Sequence, residues 1–275
     1  MTRAPQPTTR TDDRPMLGAA LLAGTANVIM QLARPEVGYG VIESPVESGS
    51  VFRHPYKRTR TTLTYLVVAM RGSEQEKRAY RTAVNRSHAQ VTSGPDSPVA
   101  YDAFDPELQL WVAACLYRGI EDTHEAFLGE LDDTTRDELY ADASTLGTTL
   151  QVPEARWPPD RAGFEEYWQQ GLENVEIDDK VRGYLHDLVE LRFAHQPLRS
   201  LMAPFHRFMT TGFLPPRFRQ EMRLPWSPRQ QRRFLRITRT IGAIVQRLPR
   251  AVQEFPFNLY LRDVRARIRK GRRLV

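Results

Sequence analysis

The sequence predicts an all-α protein folded as a single domain, a helical bundle. Apolar residues recur at helical spacing almost throughout, and no run of β-branched residues with alternating polarity is present. The 275 residues are 41% hydrophobic, which is enough to bury one substantial core. The breaks rich in proline and glycine are too short for an interdomain linker. We therefore expect minor strands or none.

The chain begins with a polar segment. Residues 1–14 are rich in Thr, Pro, Arg and Asp, which is typical of a disordered tail. Asp12 and Asp13 lie just before the first apolar residues, and these charges argue against a secretory signal peptide. We expect the folded domain to span residues 15–275.

An apolar run over residues 17–33 opens this domain. Thr25, Asn27 and Gln31 interrupt the run, which is also short for a membrane span. We therefore predict one buried helix. Its close packing depends on four small residues, Gly18, Ala19, Ala23 and Gly24.

Later helices follow from apolar stripes and from start signals. One stripe consists of Leu63, Leu66, Val67 and Met70, and the next of Tyr80, Val84, His88 and Val91. Asp105 followed by Pro106 is typical of a helix start. We place breaks at the proline-containing segments 35–55 and 215–216. Further helices are expected at about 132–148, 161–173, 178–193, 198–212, 228–248 and 257–270.

Charge and cysteine content limit the class of protein. The lone Cys115 excludes an internal disulfide and a cysteine-rich metal site, so we expect a reduced, cytoplasmic setting. Residues 215–275 hold 17 Lys and Arg against 3 Asp and Glu, a net charge of +14. This basic end is either a solvated arginine-rich surface or a contact for an anionic membrane or nucleic acid. Of these two partners, the membrane is favoured over nucleic acid.

Several common chemistries are excluded by the absence of their motifs. The sequence contains no Walker-type phosphate loop, no G-x-G-x-x-G after a strand, no H-E-x-x-H and no G-x-S-x-G elbow. It also lacks the C-x-x-C-H motif of covalent haem attachment. A haem b site needs only one neutral imidazole and an apolar slot, so it remains open.

The candidate site comes from two consecutive helices. Arg58 and Thr62, four residues apart, share one face of the first helix. His88 falls on the apolar side of the second helix. A buried imidazole facing an Arg and Thr pair indicates a binding site, although a lone core histidine is the ordinary alternative.

A collinear set of motifs resembles the MpaB and latex-clearing-protein oxygenase family over roughly residues 15–230. The motifs are QLARPEVGYGVIE at 31–43, Arg58 with Thr62, His88-Ala-x-Val91, YDAFDPELQLWV at 101–112, FLPPRFR at 213–219 and LPWSP at 224–228. The resemblance implies an all-helical, globin-like core that holds haem b and its iron. It also implies oxidative cleavage of carbon–carbon double bonds in isoprenoid chains with dioxygen.

The resemblance implies roles for individual residues. His88 is expected to be the proximal iron ligand, and Arg58 and Thr62 the conserved pocket pair. Glu43 is the nearest match to the family's proposed base. In a dry pocket the pKa of this carboxyl group would be raised, and it could take an allylic proton.

Two positions depart from the family pattern. The family has His-Pro after the first helix and Trp-Val-His in a later one. Here these positions read Arg34-Pro35 and Trp111-Val112-Ala113. Arg34 could instead pair with a haem propionate.

Three functions follow from the sequence. The leading interpretation is a haem b-dependent oxygenase that uses dioxygen on a hydrophobic, isoprenoid or lipid-like small molecule, with membrane contact through the basic C-terminus. The second is a haem-binding or haem-sensing protein without catalysis. The third is a basic helical protein that binds nucleic acid without a cofactor.

Overall fold

The computed structural model describes residues 16–275, and this part of the chain is all-α, as predicted. It contains one isolated antiparallel bridge, between Thr92 and Asp102, and no β-strand. The predicted disordered tail, residues 1–14, lies outside the described residues. The helices are α1 (Gly24–Leu32), α2 (Pro35–Ile42), α3 (Pro55–Arg71), α4 (Glu74–His88), α5 (Pro106–Leu128), α6 (Asp133–Ala143), α7 (Thr145–Thr148), α8 (Arg161–Glu173), α9 (Asp179–Val189), α10 (Leu198–Phe213), α11 (Pro216–Glu221), α12 (Pro228–Val245), α13 (Arg250–Gln253) and α14 (Phe257–Arg269).

The predicted helix over residues 17–33 is divided into a 3-10 helix, Gly18–Ala23, and α1. Gly18 packs closely as expected, because a Cβ atom there would lie 1.8 Å from the carbonyl oxygen of Phe255. The expectation was wrong for Gly24, where a Cβ atom would meet nothing within 4 Å. The two glycines therefore differ in role although they lie in the same apolar run.

The polar residues of this run bind other helices. Asn27 donates from Nδ2 to the carbonyl oxygen of Cys115 at 2.6 Å. Thr25 Oγ1 lies 3.0 Å from Nε2 of His206, which joins α1 to α10. These bonds explain why polar groups interrupt an otherwise apolar segment. Nowhere in residues 16–275 is there a helix of the length and hydrophobicity needed to cross a bilayer.

Prolines begin several helices rather than breaking the chain. Asp105 accepts a hydrogen bond from the backbone N–H of Glu107 at 2.7 Å, and Pro106 follows it as the first residue of α5. The breaks predicted at 35–55 and 215–216 were partly wrong, because Pro35 begins α2 and Pro216 begins α11. A proline at the first helical position loses no hydrogen bond and has a suitable φ angle.

The core is built around α5, which contacts α1, α7 and α12. The rings of Trp111 and Trp168 stack with centroids 5.3 Å apart. On α12, a Cβ atom at Gly242 would lie 1.8 Å from the carbonyl oxygen of Phe127. The backbones of α5 and α12 therefore approach as closely as a glycine allows.

The C-terminal helix α14 covers α3 and α4. Phe257 packs with Leu63 and Val67 of α3 in one buried cluster. In a second cluster, Val264 packs with Val68 and Tyr80. This packing fixes the two helices that carry the predicted site.

Candidate functional site

The helices α3 and α4 bring Arg58, Thr62 and His88 into one region. Pro55 begins α3, and Ser73 begins α4 with a capping box in which Ser73 and Glu76 exchange hydrogen bonds. The helices pack against each other, and His88 is the last residue of α4. The predicted arrangement of two consecutive helices is therefore present.

The His88 imidazole is partly enclosed and lacks a partner. Its Nδ1 atom is buried without a hydrogen bond. Burial lowers the pKa of His88 to about 4, and the nearby positive charge of Arg58 adds to this effect. The ring lies edge to face with that of Phe104, with centroids 6.3 Å apart. At neutral pH the side chain is therefore a neutral nitrogen donor in apolar surroundings.

The Arg58 guanidinium lies in an unusual environment. The residue is exposed at the surface, yet desolvation by the surrounding protein lowers the pKa of its guanidinium, against the opposing effects of Tyr184 and Tyr80. No carboxylate among residues 16–275 forms an ion pair with it. A desolvated cation without a counter-ion is a binding position for an anionic group.

Thr62 lies one turn after Arg58 on the same face of α3 and is half-buried. The spacing of four residues places both side chains on the side of α3 that the sequence predicts. Thr62 therefore borders the same region as the guanidinium.

The segment after α4 folds back over the site. The Ser93 N–H donates to the carbonyl oxygen of Tyr101 at 2.8 Å, and the Ala103 N–H donates to that of Val91 at 3.0 Å. This pairing brings the residues before α5 next to the end of α4. As a result, Phe104 contacts His88.

Glu43 lies at the C-terminal end of α2, and none of its described contacts is with Arg58, Thr62 or His88. Its Oε1 atom accepts from Lys180 at 2.8 Å, and its Oε2 atom accepts from the Tyr101 hydroxyl at 3.3 Å. The Lys180 hydrogen bond lowers the pKa of Glu43 below its ordinary value. The raised pKa expected from the sequence was wrong, because the carboxylate is ion-paired rather than alone in a dry pocket.

Arg34 lies at the opposite end of α2, before Pro35. Its Nε atom is 3.4 Å from Oε2 of Glu36, and Nε itself is buried without a hydrogen bond. Burial raises the pKa of Tyr167 to about 12, and the positive charge of Arg34 opposes this effect. Ala113, where the family pattern has histidine, is buried in α5. Neither residue contacts His88 through a described hydrogen bond, ion pair or ring contact.

The sequence did not assign a role to two aromatic residues of this region. Phe104 lies within the YDAFDP motif, which could have drawn attention to it. Tyr184, on α9, raises the pKa of Arg58 electrostatically. The ring of Phe52 packs edge to face with that of Tyr184, with centroids 5.1 Å apart. No sequence signal connects residues so far apart in the chain.

Three of the other histidines have backbone carbonyl oxygens as partners. His186 Nε2 lies 3.0 Å from the carbonyl oxygen of Met222, and His206 Nδ1 lies 2.8 Å from that of Val189. His124 Nδ1 lies 2.8 Å from the carbonyl oxygen of Ile120. Within the described residues, no three His, Cys, Asp or Glu side chains come together as a metal site.

Two surface clefts lie apart from this region. A groove of about 590 Å³ follows the outer side of α12, and a cleft of about 450 Å³ lies between α5, α6 and α8. Ion pairs of Arg118, Arg136 and Arg161 fill the second cleft. Neither cleft includes His88 or Arg58.

The match of residues 15–243 to a family model identifies the class of protein. The family is described as "ER-bound oxygenase mpaB/B'/Rubber oxygenase, catalytic domain". The chain belongs to this oxygenase family, as its motifs predict.

Among its relatives are the uncharacterized proteins Mb2261 of Mycobacterium bovis and Rv2237 of Mycobacterium tuberculosis. Each is 52% identical over 255 residues, which cover 93% of this chain and 100% of the relative. No solved structure matches the chain.

Proposed function

We propose that the protein is a haem b-dependent oxygenase that uses dioxygen on a hydrophobic, isoprenoid or other lipid-like small molecule. The oxygenase family is established, and the cofactor and substrate class are our proposal. One juxtaposition carries it: a neutral imidazole nitrogen without a hydrogen-bond partner lies near the Arg58 guanidinium, whose pKa desolvation lowers and which pairs with no carboxylate of residues 16–275.

These residues fit the chemical groups of haem. His88 would hold the iron, and Arg58 would bind a carboxylate of the macrocycle. Because no cluster of three metal-binding side chains exists in residues 16–275, an iron at His88 would need its other ligands from a bound group, as a porphyrin supplies. When bound, haem supplies the iron and dioxygen chemistry that amino-acid side chains lack.

The protein's own residues prepare the site. Because the pKa of His88 is about 4, its ring is neutral at neutral pH, and protons do not compete with a metal for the ring nitrogen. Arg58 and Thr62 would orient the cofactor from one face of α3. Phe104, which contacts the His88 ring, and Tyr184 would supply aromatic surface that limits water at a bound substrate. Arg34, with its unbonded Nε atom, is the second candidate for a propionate.

Glu43 is the candidate base. The ion pair with Lys180 keeps its carboxylate ionised, which is the form that accepts a proton. The lowered pKa also makes it a weaker base than a carboxylate in a dry pocket. Proton transfer to Glu43 would therefore require the Lys180 contact to loosen.

This weak basicity favours a second candidate function, a haem-binding or haem-sensing protein without catalysis. Such a protein would need His88 and Arg58 but not a base. It would bind haem with the same spectrum and consume no dioxygen.

The basic C-terminal helices form the second part of the proposal. With a net charge of +14 over residues 215–275, they would hold the protein at an anionic membrane surface, where lipid-like substrates dissolve.

Dioxygen uptake tests the proposed reaction. Protein reconstituted with hemin is expected to consume dioxygen with squalene, which has isoprenoid double bonds, and not with its saturated analogue squalane. Arg58→Gln should reduce the rate at least about tenfold, because a charged hydrogen bond contributes roughly 2 kcal/mol. Haem binding without uptake would support the haem-sensing alternative, and failure to bind haem would contradict both.

A further inference from the structure

A stripe of exposed apolar residues follows α10. Leu198, Leu201, Met202 and Phe205 are spaced i, i+3, i+4 and i+7, so they share one face of the helix. Their exposed fractions are 57%, 76%, 40% and 39%. Single exposed apolar residues are ordinary on a protein surface, but a continuous stripe indicates a surface that is covered in use.

The stripe continues onto neighbouring elements. The 3-10 helix Gly18–Ala23 packs against α10, α12 and α13, and its Leu21 is exposed. Gly18 closely approaches the Phe255 carbonyl oxygen. This contact brings two exposed side chains that follow α12, Val252 and Phe255, to the same region. We define the apolar face as Leu21, Leu198, Leu201, Met202, Phe205, Val252 and Phe255.

Arginines without acidic partners lie beside this face. The exposed arginines of α12 and of the residues just after it form no ion pair with a described carboxylate. They are Arg229, Arg232, Arg233, Arg236, Arg239 and Arg247. By contrast, the nearby carboxylates of Glu190 and Glu254 are already paired with arginines. Within the part of the chain that the structure describes, the positive charge of these α12 arginines therefore has no acidic partner.

The groove along α12 combines both properties. It is lined by Arg232, Arg236 and Arg239 together with apolar residues that include the exposed Leu235 and Ile244. Apolar surface next to arginines is typical of a helix that lies in the plane of a membrane interface.

We propose that the apolar face docks on a lipid bilayer that contains anionic phospholipids. The apolar side chains enter the boundary between headgroups and acyl chains, and the α12 arginines bind lipid phosphates. A nucleic acid would satisfy the arginines but would leave the α10 stripe in water, so the bilayer fits both features.

This inference deepens the membrane part of the proposed function and rests on it, but it does not depend on haem. Docking through α10 would hold the enzyme at the phase that contains its proposed lipid-like substrate. It also extends the contact to α10 and Leu21, which lie outside the basic C-terminal segment.

Sedimentation of the full chain with vesicles tests the proposal. The protein should bind vesicles of phosphatidylglycerol and phosphatidylcholine in equal parts, and phosphatidylcholine vesicles at least about tenfold more weakly. Leu201→Glu should weaken binding to the anionic vesicles at least about tenfold, because a leucine that would insert into the bilayer is replaced by a charge. Leu201 is exposed, so the variant should retain the wild-type circular dichroism.

Tyr56→Glu is the matched control, because Tyr56 is 77% exposed and lies on α3, outside the apolar face. It should change vesicle binding by less than about twofold. Equal effects of the two variants would overturn the proposal, as would a wild-type protein that does not sediment. Binding to double-stranded DNA, but not to vesicles, would overturn it in favour of a nucleic-acid partner.

The same preparations separate this inference from the proposed function. Vesicle binding without a haem spectrum would contradict only the proposed cofactor. A normal haem spectrum without vesicle binding would contradict only the docking surface.

Discussion

His88 and Arg58 each carry a cost that a bound group would remove. A buried nitrogen without a hydrogen bond and a desolvated cation without a counter-ion both destabilise a protein on their own. The two groups need partners of opposite charge, since the His88 nitrogen can donate its lone pair to a metal cation and the Arg58 guanidinium binds an anion. A single ligand that carries both a metal and carboxylates satisfies them together.

The lowered pKa of His88 predicts a specific dependence of stability on pH. The unfolded chain binds a proton near pH 6.5, whereas the folded protein binds it near pH 4. Between these values the unfolded state holds more protons, so the free energy of unfolding falls as the pH decreases. For haem-free protein the loss between pH 7 and pH 5 should be about 2 kcal/mol, measured by urea denaturation.

His88→Gln should remove this part of the pH dependence, because glutamine does not titrate. The same slope in the wild type and the variant would mean that His88 is not held neutral by the fold.

Arg58→Met should stabilise the haem-free protein and weaken hemin binding. The unpaired cation is replaced by an apolar side chain of similar length, so the desolvation cost disappears together with the anion contact. We expect a higher urea midpoint and an affinity for hemin at least about tenfold lower.

Arg53→Met is the control for this pair of measurements. Arg53 lies at the surface and pairs with Glu47 at 3.1 Å. Arg53→Met should change neither the urea midpoint nor the affinity for hemin much. Lower stability of Arg58→Met without hemin would show that the guanidinium has a structural partner instead.

At the scale of elements, local rules predict most helices and miss their finer divisions. The Asp105 cap and Pro106 place the start of α5 correctly. The same rule, proline at the first position, would have identified α2, which was instead interpreted as a break at Pro35. Apolar periodicity alone does not distinguish the 3-10 helix Gly18–Ala23 from an α-helix, because both bury similar residues.

The contact of α12 with α5 depends on Gly242. Gly242→Ala should lower the free energy of unfolding by about 2 to 3 kcal/mol, because the new methyl group overlaps the Phe127 carbonyl. Gly183→Ala, in the exposed interior of α9, should instead stabilise by about 0.5 to 1 kcal/mol, since nothing lies within 4 Å. Thermal denaturation of both variants measures the difference, and equal effects would contradict the close backbone contact.

At the scale of the whole molecule, the sequence predicts the fold class and which local residues form the candidate site. The spacing of Arg58 and Thr62 on one helix and His88 on the next is local, so it can be read from the chain. The contacts with Phe104 and Tyr184 depend on tertiary packing, and no local pattern specifies them. The pKa of Glu43 was mispredicted for the same reason, because Lys180 comes from α9.

The helix α14 lies beyond the residues that match the family, yet it covers the helices of the site. Val264→Asp should lower the free energy of unfolding by at least about 3 kcal/mol, because it buries a charge against Val68 and Tyr80. It should also weaken hemin binding as α3 and α4 separate. Arg262→Asp, exposed on the same helix, should have little effect on either measurement, and a similar loss would contradict the role of α14 packing.

The visible absorption spectrum during hemin titration tests the central claim most directly. Wild-type protein should develop a Soret band that saturates at one hemin per chain, and His88→Ala should lose or shift this band. His186→Ala should keep it, because its imidazole already bonds the Met222 carbonyl oxygen. No band in the wild type, or an unchanged band in His88→Ala, would contradict haem ligation by His88.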